Sequence, residues 1–316
     1  MADRVHHPPT LIYSPGTQVA ALVAVPDQND SPLHPRGAVG VVVRSPIDLD
    51  HSYRVRFPDG VEASLRRDQI TMLAAAKESL IGDPSQGAPH ADLFRRVIFR
   101  CVIGSQAYGL AGDGSDIDRR GIYLPPADLH WSLYGVPEQL ENDATQEVYW
   151  ELQKFIVLAL KANPNVLECL YSPIVEQATP LAAELLAMRS SFLSRLVYQT
   201  YNGYVLSQFK KMQADLRNQG QVKWKHVMHL IRLLMSGIHV LRHGVVPVRV
   251  EEHREQLLAI KRGEIPWEET ERWRLSLHKE FDAAAVATTL PELPDYARAN
   301  DLLLKARRLA TAGELP

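Results

Sequence analysis

The pattern of hydrophobic and polar positions divides the chain into a β-rich N-terminal region, a mixed central region and a helical C-terminal region. In the first region, short apolar or alternating runs are separated by turn sequences that contain proline, glycine and asparagine, which is typical of antiparallel strands. Residues 1–15, with prolines and histidines between His6 and Pro9, are predicted to be a flexible tail. The predicted strands cover residues 18–25, 38–44, 53–57 and 61–65.

The central region, residues 93–176, mixes strand and helix signals, and a stretch at 77–92 that is rich in glycine and proline predicts a linker before it. Its longest apolar run, Val97–Ile103, is interrupted only by Arg100, which is typical of a strand inside a sheet. The region therefore predicts an α+β domain with a mixed sheet. The other predicted elements are strands at 117–124 and 148–150 and a helix at 151–161.

From residue 177 to the end of the sequence, apolar residues recur at helical spacing, and we expect a helical domain at 177–316. The stretch from Arg189 to Arg249 contains ten lysine or arginine residues and one acidic residue, Asp215. A basic surface on this domain would suit the phosphates of a nucleic acid. The predicted helices cover residues 191–217, 222–242, 252–262, 268–285 and 296–310.

The composition is that of a soluble protein in a reducing compartment. Of the 316 residues, 46% are hydrophobic and 23% are charged, and the formal net charge of −2 argues against coating of nucleic acid by the whole chain. Cys101 and Cys169 lie in apolar runs without metal-site spacing, which predicts buried free thiols. No apolar stretch approaches the roughly 20 residues that span a bilayer. No signal peptide is evident either, so we expect a cytoplasmic protein without membrane contacts.

The N-terminal strands, within residues 16–76, are short and closely spaced, which is typical of a small antiparallel barrel. This region resembles the SH3-like barrels of the Tudor and KOW type, many of which bind RNA or peptides. A structural appendage without a ligand is the alternative that the strand pattern leaves open.

The candidate chemistry begins where the first central strand ends, at Gly104 and Ser105. A glycine permits a tight turn and a close approach of the backbone to a ligand. We expect a short helix to begin at Ser105, whose hydroxyl and free backbone N–H groups would bind the phosphates of a triphosphate. Tyr108, in the same short helix, is also predicted to bind the nucleotide.

Two acidic residues, Asp116 and Asp118, follow about a dozen residues later at the start of the next predicted strand. Because residues two apart on a strand project from the same face, the two carboxylates are expected to lie side by side. Adjacent carboxylates repel each other unless a cation lies between them, and oxygen ligands beside a phosphate site favour Mg²⁺. The motif therefore predicts a site for two Mg²⁺ or Mn²⁺ ions, which would hold the reacting oxygens of a phosphoryl transfer.

A third carboxylate is expected from a neighbouring strand. Glu147, immediately before the apolar residues 148–150, is the first choice, since it would complete the metal site and help to remove the proton of an attacking hydroxyl. Asp143 and Glu151 are the competing candidates.

The Gly-Ser turn followed by Asp-x-Asp resembles the motif of the DNA polymerase beta-type nucleotidyltransferase superfamily. The resemblance implies that Asp116 and Asp118 bind two Mg²⁺ ions and that Gly104 and Ser105 contact the triphosphate. It also implies an α+β nucleotidyltransferase core with a mixed sheet and helices, followed by the helical domain.

The similarity extends beyond the motif to predicted nucleotidyltransferases associated with bacterial RNA-repair clusters. It covers roughly residues 93–312 and leaves the N-terminal barrel outside. The segments that carry it are 104–121, 154–168 and 225–234.

The run Asn163-Pro164-Asn165 ends one predicted helix and starts another. Asn165 has two interpretations, because it either caps the second helix or contacts the nucleotide. Glu168, on that second helix, would need a partner if it is buried.

Lys225, His229 and Arg232 are spaced by four and three residues, so they share one face of a predicted helix. We expect this cationic face to bind the phosphates of the nucleotide or of the acceptor, and a solvated surface is the alternative. Zinc is disfavoured, because no further ligands have suitable spacing. The aromatic residues of the same region are expected either to belong to the core or to stack on bases. They are Tyr198, Tyr201, Tyr204 and Trp224.

The sequence therefore predicts an enzyme that transfers a nucleoside monophosphate from an NTP to an acceptor hydroxyl, with release of pyrophosphate. An RNA end is the first choice of acceptor, for repair or tailing. The alternatives are nucleotidylation of a protein or of a small molecule such as an antibiotic, and a non-catalytic regulator that binds nucleotide or RNA.

Overall fold

The computed structural model describes residues 12–26, 32–46, 51–80, 90–112, 114–219 and 223–313. The chain separates into two compact units, which comprise Met1–Gln86 and Gly87–Pro316. Each unit has a hydrophobic core of its own. The tail predicted at 1–15 and the linker predicted at 77–92 lie largely outside the described residues, so the domain boundaries stay predictions.

The first unit consists of short strands followed by a helix, as its turn-rich pattern predicts. Its elements are β1 (Gln18–Ala21), β2 (Val25–Pro26), β3 (Pro32–His34), β4 (Val39–Arg44), β5 (Tyr53–Arg56), β6 (Glu62–Leu65), β7 (Ile70–Met72) and α1 (Leu73–Leu80). The strands form an antiparallel sheet in the order β6-β5-β4-β1-β7, and β2 pairs with β3.

Strand β5 shows how the alternating pattern folds. Tyr53 and Val55 are buried in the core of the first unit. Arg54 and Arg56 project from the opposite face, where both pair with Glu62 on the neighbouring strand β6. The period-two alternation therefore separates a core face from a solvent face, as expected for a half-buried strand.

The expected SH3-like barrel is not confirmed. Over the part of the first unit that the structure describes, the sheet is open, because its edge strands β6 and β7 do not pair with each other. Closure into a barrel would require that pairing. The run at 18–25 also contains two strands, β1 and β2, where one was expected.

The second unit combines a mixed sheet with helices, which confirms the predicted α+β class. Its strands are β8 (Val97–Ile103), β9 (Asp118–Tyr123), β10 (Gln139–Asn142), β11 (Glu147–Glu151) and β12 (Val175–Ala178). Its helices are α2 (His90–Phe94), α3 (Gly104–Tyr108), α4 (Ala127–Trp131), α5 (Leu152–Leu160), α6 (Pro164–Leu170), α7 (Pro180–Ala187), α8 (Leu196–Gln219), α9 (Trp224–His243), α10 (Arg254–Arg262), α11 (Trp267–Ala287) and α12 (Tyr296–Ala312).

The sheet of the second unit has the order β10-β11-β9-β8-β12. Strands β9 and β11 are parallel, and the other neighbours are antiparallel. The backbones of β8 and β9 approach closely at Gly121, where a β-carbon would lie 1.9 Å from the carbonyl oxygen of Phe99. A glycine is therefore required at the centre of the sheet, in the strand that begins with Asp118.

One hydrophobic core joins the sheet to the long helices. It contains buried residues from β8, α5 and α6 together with residues from α8, α9 and α11. The predicted catalytic region at 93–176 and the predicted helical region at 177–316 therefore belong to one compact unit. Among the described helices, none combines the length and the apolar character needed to cross a membrane.

Both cysteines are buried free thiols, as the apolar runs around them predict. Cys101 lies on β8 and Cys169 on α6, and each is at most 1% exposed. Burial raises the pKa of Cys169 well above its ordinary value, and a hydrogen bond with Cys101 adds to the increase. The Cys169 thiol therefore stays protonated in the folded protein.

Replacement of Gly121 by alanine is expected to destabilise the second unit, because the new β-carbon would overlap the Phe99 carbonyl oxygen. Overpacking of this kind costs about 1–3 kcal/mol, and occasionally more. Gly203→Ala in α8 is the matched control, since nothing lies within 4 Å of its β-carbon. It should leave stability unchanged or raise it by up to about 1 kcal/mol. Urea denaturation measures both variants, and equal stabilities would show that the β8–β9 contact accepts a side chain.

Candidate active site

The glycine–serine turn connects the end of β8 to the short helix α3, as the sequence predicts. Gly104 has a φ of +71°, a left-handed conformation that favours glycine over other residues. A β-carbon at this position would lie only 2.7 Å from Oδ2 of Asp118. The turn and the carboxylate meet because Ile103, the last residue of β8, pairs with Asp118 in the sheet.

Asp118 and Asp116 lie in different kinds of backbone. Asp118 is the first residue of β9, and its half-buried carboxylate lies 3.5 Å from the guanidinium of Arg120. Asp116 lies in the preceding loop, is exposed, and makes no ion pair or hydrogen bond with the residues that the structure describes. Strand alternation therefore applies to Asp118 alone, and the side-by-side arrangement of the two carboxylates stays a prediction.

Glu147, the expected third carboxylate, begins β11 and pairs with Arg119, one residue after Asp118. Paired residues project from the same face of a sheet and successive residues from opposite faces, so Glu147 and Asp118 point to opposite faces. The environment of Tyr149 agrees with this placement. Burial raises its pKa, and a hydrogen bond with Glu147 adds to the increase. Gln146, the residue before the strand, has a φ of +54°, so the strand register ends at Glu147.

The competing carboxylates have different surroundings. Glu151 is buried and caps α5 by accepting hydrogen bonds from the backbone N–H groups of Gln153 and Lys154. It also pairs with Arg307 at 2.8 Å, so its charge is already used to hold α5 and α12. Asp143 is exposed in the turn between β10 and β11. The choice of a third carboxylate stays a prediction, and the contacts of Glu151 explain its burial without a metal.

Asp116 and Asp118 are the acidic residues near the turn that are available to bind a cation. Among the described residues, no three His, Cys, Asp or Glu side chains are arranged as a metal site by themselves. Mg²⁺ is commonly bound through one or two carboxylates, with substrate phosphates and water as its other ligands. The two aspartates therefore fit an Mg²⁺ ion that arrives with a phosphate substrate.

Behind the turn, a buried network joins Tyr108 of α3, Glu168 of α6 and Arg232 of α9. The Tyr108 hydroxyl donates a hydrogen bond to Oε2 of Glu168 at 2.5 Å, and Nη1 of Arg232 donates to Oε1 at 2.6 Å. The Arg232 guanidinium also lies over the Tyr108 ring, 3.7 Å from its centre. Because Glu168 is only 1% exposed, both of its oxygens depend on these partners.

This network gives Tyr108 and Arg232 a structural role. Both side chains are buried, at 4% and 7% exposure. Burial raises the pKa of Tyr108 well above its ordinary value, and the Glu168 carboxylate adds to the increase, so the hydroxyl remains a donor. The structure shows these residues holding α3 in place, and their direct contact with a nucleotide stays a prediction.

The end of α3 is held by residues that sequence reasoning missed. The carbonyl oxygens of residues 108–110 accept hydrogen bonds from the backbone N–H of Val250, Nε of Arg254 and Nζ of Lys261, at 3.0, 2.8 and 3.2 Å. Every residue carries a backbone carbonyl, so no sequence pattern marks the acceptors. The turn is thus supported by the segment around α10 as well as by α6 and α9.

The predicted cationic face of α9 is only partly present. Lys225 is exposed, whereas Arg232 is buried in the network and His229 is partly buried. Burial, followed by the positive charges of Arg232 and Lys225, lowers the pKa of His229 to about 4. The imidazole is therefore neutral at pH 7, and Lys261 contributes to the same positive field. Phosphate binding by Lys225 and His229 stays a prediction.

The Asn163-Pro164-Asn165 junction starts α6, with a correction to its cap. Asn163, instead of Asn165, caps the helix, since its side-chain oxygen accepts from the N–H groups of Asn165 and Val166 at 3.0 and 3.3 Å. Pro164 takes the first helical position, for which its fixed φ is suited. The side chain of Asn163 also donates to the Tyr204 hydroxyl at 2.7 Å. Asn165 is exposed in the first turn, and its contact with nucleotide stays a prediction.

The aromatic residues of α8 and α9 pack with the core. Tyr201 is fully buried, and Tyr198, Tyr204 and Trp224 are partly buried against the same core. The ring of Tyr198 lies 5.0 Å from that of Phe281. These contacts support the core interpretation of the aromatic pattern over an open surface for base stacking.

Comparison with known families identifies the chain. The sequence model of RlaP, described as "RNA repair pathway DNA polymerase beta family", matches residues 72–305. That match covers most of the chain and includes the turn, both aspartates and the buried network. The chain belongs to the RlaP family.

A curated relative is the "Uncharacterized protein YcgL" of Bacillus subtilis (strain 168), which is 27% identical over 155 residues. The aligned part is 48% of this chain and 59% of the relative, so the chain covers less than two thirds of that protein. RlaP membership confirms the resemblance to polymerase beta-type nucleotidyltransferases associated with RNA repair.

Glu168→Ala is expected to lower the free energy of unfolding by about 3–5 kcal/mol, because Arg232 would remain buried without its counter-ion. Glu184→Ala is the matched control, since its pair with Lys305 is about half exposed and should contribute roughly 0–1 kcal/mol. Urea denaturation compares the two variants. Losses of similar size would contradict the structural importance of the buried pair.

The lowered pKa of His229 predicts a pH dependence of stability. The unfolded chain takes up a proton near pH 6.5 and folded His229 near pH 4, so the free energy of unfolding falls as pH drops through this window. His229→Gln cannot titrate, and its loss of stability between pH 7 and pH 5 should be smaller by about 1–2 kcal/mol. The exposed His253→Gln serves as the control. An identical decline in wild type and His229→Gln would refute the assignment.

Proposed function

We propose that this RlaP-family chain transfers a nucleoside monophosphate from an NTP to a hydroxyl group at an RNA end, with release of pyrophosphate. The observation that carries the proposal is the contact between the Gly104 turn and the Asp118 carboxylate, where a β-carbon would lie 2.7 Å from Oδ2. Backbone N–H groups at a tight turn bind phosphate oxygens, and a carboxylate binds the metal ion that accompanies a triphosphate. The backbone of the turn and the Asp118 carboxylate, which would bind the phosphates and the metal ion, lie next to each other.

In the proposed reaction, the acceptor oxygen forms a bond to the α-phosphorus of the NTP, and the bond from that phosphorus to the β-phosphate oxygen breaks. Pyrophosphate leaves, and the hydroxyl proton passes to a carboxylate or to solvent. Ser105 and the backbone of the turn hold the triphosphate, while Asp116 and Asp118 hold the cations. Two Mg²⁺ or Mn²⁺ ions, when bound, would neutralise the phosphate charge.

The support of α3 favours this assignment. Tyr108 is fixed by Glu168 and Arg232, and the carbonyls of residues 108–110 are fixed by donors from the segment around α10. A reaction that depends on the positions of phosphate groups benefits from a binding turn that does not move. The buried network therefore supports a catalytic use of the turn.

Charge near the turn supports RNA as the acceptor. Lys261 donates to the Leu110 carbonyl, six residues before Asp116, and Lys225 lies close enough to lower the pKa of His229. The positive charge of Lys261 at Leu110, where the chain leads to the aspartates, suits a phosphate backbone. The family's description as an RNA repair pathway family points the same way. A cytoplasmic location, where RNA is available, is part of the same proposal.

The transfer reaction can be tested with NTPs radiolabelled at the α-phosphate, Mg²⁺ or Mn²⁺, and a panel of RNAs with free terminal hydroxyls. We expect label on RNA. Asp116→Asn and Asp118→Asn should each lower the rate at least about a hundredfold, because several kcal/mol of charge stabilisation would be lost. Asp301→Asn, exposed on α12, is the matched control and should remain active.

Other outcomes of this assay would redirect the proposal. Label on the protein itself or on an added small molecule would replace RNA as the acceptor. Binding of NTP without any transfer would favour a regulator that binds nucleotide. Full activity of Asp118→Asn would contradict the assignment of the site.

Glu147→Gln tests the third carboxylate in the same assay. Because the strand register directs Glu147 away from the Asp118 face, we expect a loss smaller than about tenfold, which corresponds to roughly 1.4 kcal/mol. A loss as large as that of Asp118→Asn would instead place Glu147 among the metal ligands.

A further inference from the structure

A second candidate site lies among the C-terminal helices. A cavity of about 600 Å³ is bounded by α9, residues 247–253 and α11. Neither Gly104 nor the two aspartates belong to its lining. Small-molecule sites commonly measure about 300–1,000 Å³, so the cavity can hold a ligand of nucleotide size.

Helix α9 contributes a polar stripe to this cavity. Arg232, Ser236, His239 and His243 follow at intervals of four, three and four residues, which places them on one face of the helix. Most of the other buried positions of α9 are apolar. A polar stripe on such a helix indicates a cavity whose occupant forms hydrogen bonds.

One residue of the stripe has unused hydrogen-bonding capacity. Arg232 is 7% exposed, Glu168 engages its Nη1, and its Nε has no hydrogen-bond partner among the described residues. The Ser236 hydroxyl, by contrast, hydrogen-bonds with that of Tyr201. The guanidinium therefore keeps donors for a ligand that accepts hydrogen bonds.

The remaining walls combine aromatic rings with charges of both signs. The ring of Trp273 lies 5.2 Å from that of His253. Glu251, Glu252 and Arg249 are exposed and form no ion pair with the residues that the structure describes. The rings can stack on a planar group, the carboxylates can accept hydrogen bonds from hydroxyl or amino groups, and the guanidinium can bind a phosphate.

This combination excludes simpler occupants. An inorganic anion could use Arg249 but would make no favourable contact with Trp273, Glu251 or Glu252. No three His, Cys, Asp or Glu side chains within the described ranges are arranged as a metal site. An apolar ligand would leave the unused donor of Arg232 unpaired. A ribonucleotide carries the planar base, the hydroxyl groups and the phosphate that the lining can bind.

We propose that this cavity binds a ribonucleotide unit at a site separate from the Gly104 turn. The unit is either a free mononucleotide or the terminal nucleotide of an RNA, which share base, ribose and phosphate. The site does not depend on the proposed transfer reaction, because its lining includes neither aspartate. Its occupant would contact Arg232, the residue that also holds Tyr108 and Glu168.

Equilibrium dialysis of the full chain carrying Asp116→Asn and Asp118→Asn, in EDTA, measures this binding without turnover. The probes are AMP, GMP, CMP and UMP. We expect one saturable site for at least one of them, with competition by the matching nucleoside and none by inorganic phosphate. A short RNA that ends in the same nucleotide distinguishes the sources. Stronger competition by the RNA identifies an RNA terminus, and weaker competition identifies the free nucleotide.

Two variants locate the binding in the cavity. Ser236→Leu fills it and Trp273→Leu removes the ring that stacks, and each should weaken binding at least about tenfold. Trp131→Leu is the matched control, because Trp131 is 65% exposed and lies outside the cavity. Circular dichroism verifies that each variant folds. If Ser236→Leu does not fold, the affinity of Trp273→Leu tests the proposal. Absence of saturable binding, competition by phosphate alone, or equal affinities of the two tryptophan variants would overturn the proposal.

Discussion

The rest of the second unit depends on the buried ion pair between Glu168 and Arg232. The pair joins α6 to α9, and through Tyr108 it holds α3, the helix that begins at the glycine–serine turn. A carboxylate that is 1% exposed is tolerated only with its partners, because an unpaired buried charge costs several kcal/mol. Three elements that are distant in sequence are therefore fixed relative to one another by a single charge pair.

The surroundings of this pair give the turn a rigid and electropositive setting. Donors from Val250, Arg254 and Lys261 occupy the carbonyls at the end of α3. His229 is neutral because burial and nearby cations lower its pKa to about 4, so the positive field beside it comes from lysine and arginine. The proposed phosphate site would therefore not need to reorganise before binding. The residues matched by the RlaP family include this network.

The pairing of strands in the sheet determines which acidic side chains lie near the turn. Gly121 lets the backbones of β8 and β9 approach, and Ile103 pairs with Asp118, so the Gly104 turn contacts that carboxylate. Parallel β11 presents Glu147 at the level of Arg119, on the face away from Asp118. An acidic residue at the start of the neighbouring strand is therefore not automatically a partner of the aspartates.

The sequence by itself determined the α+β class, the strand Val97–Ile103, the long C-terminal helices to within a few residues, and the glycine–serine turn with its family. These features depend on local periodicity and on contiguous motifs. Only the tertiary structure decided that the first sheet is open, that Asn163 caps α6 and that Arg232 is buried against Glu168. It alone also showed the register that separates Glu147 from Asp118. Each of these depends on which face of an element is covered, and that is set by contacts between residues far apart in the chain.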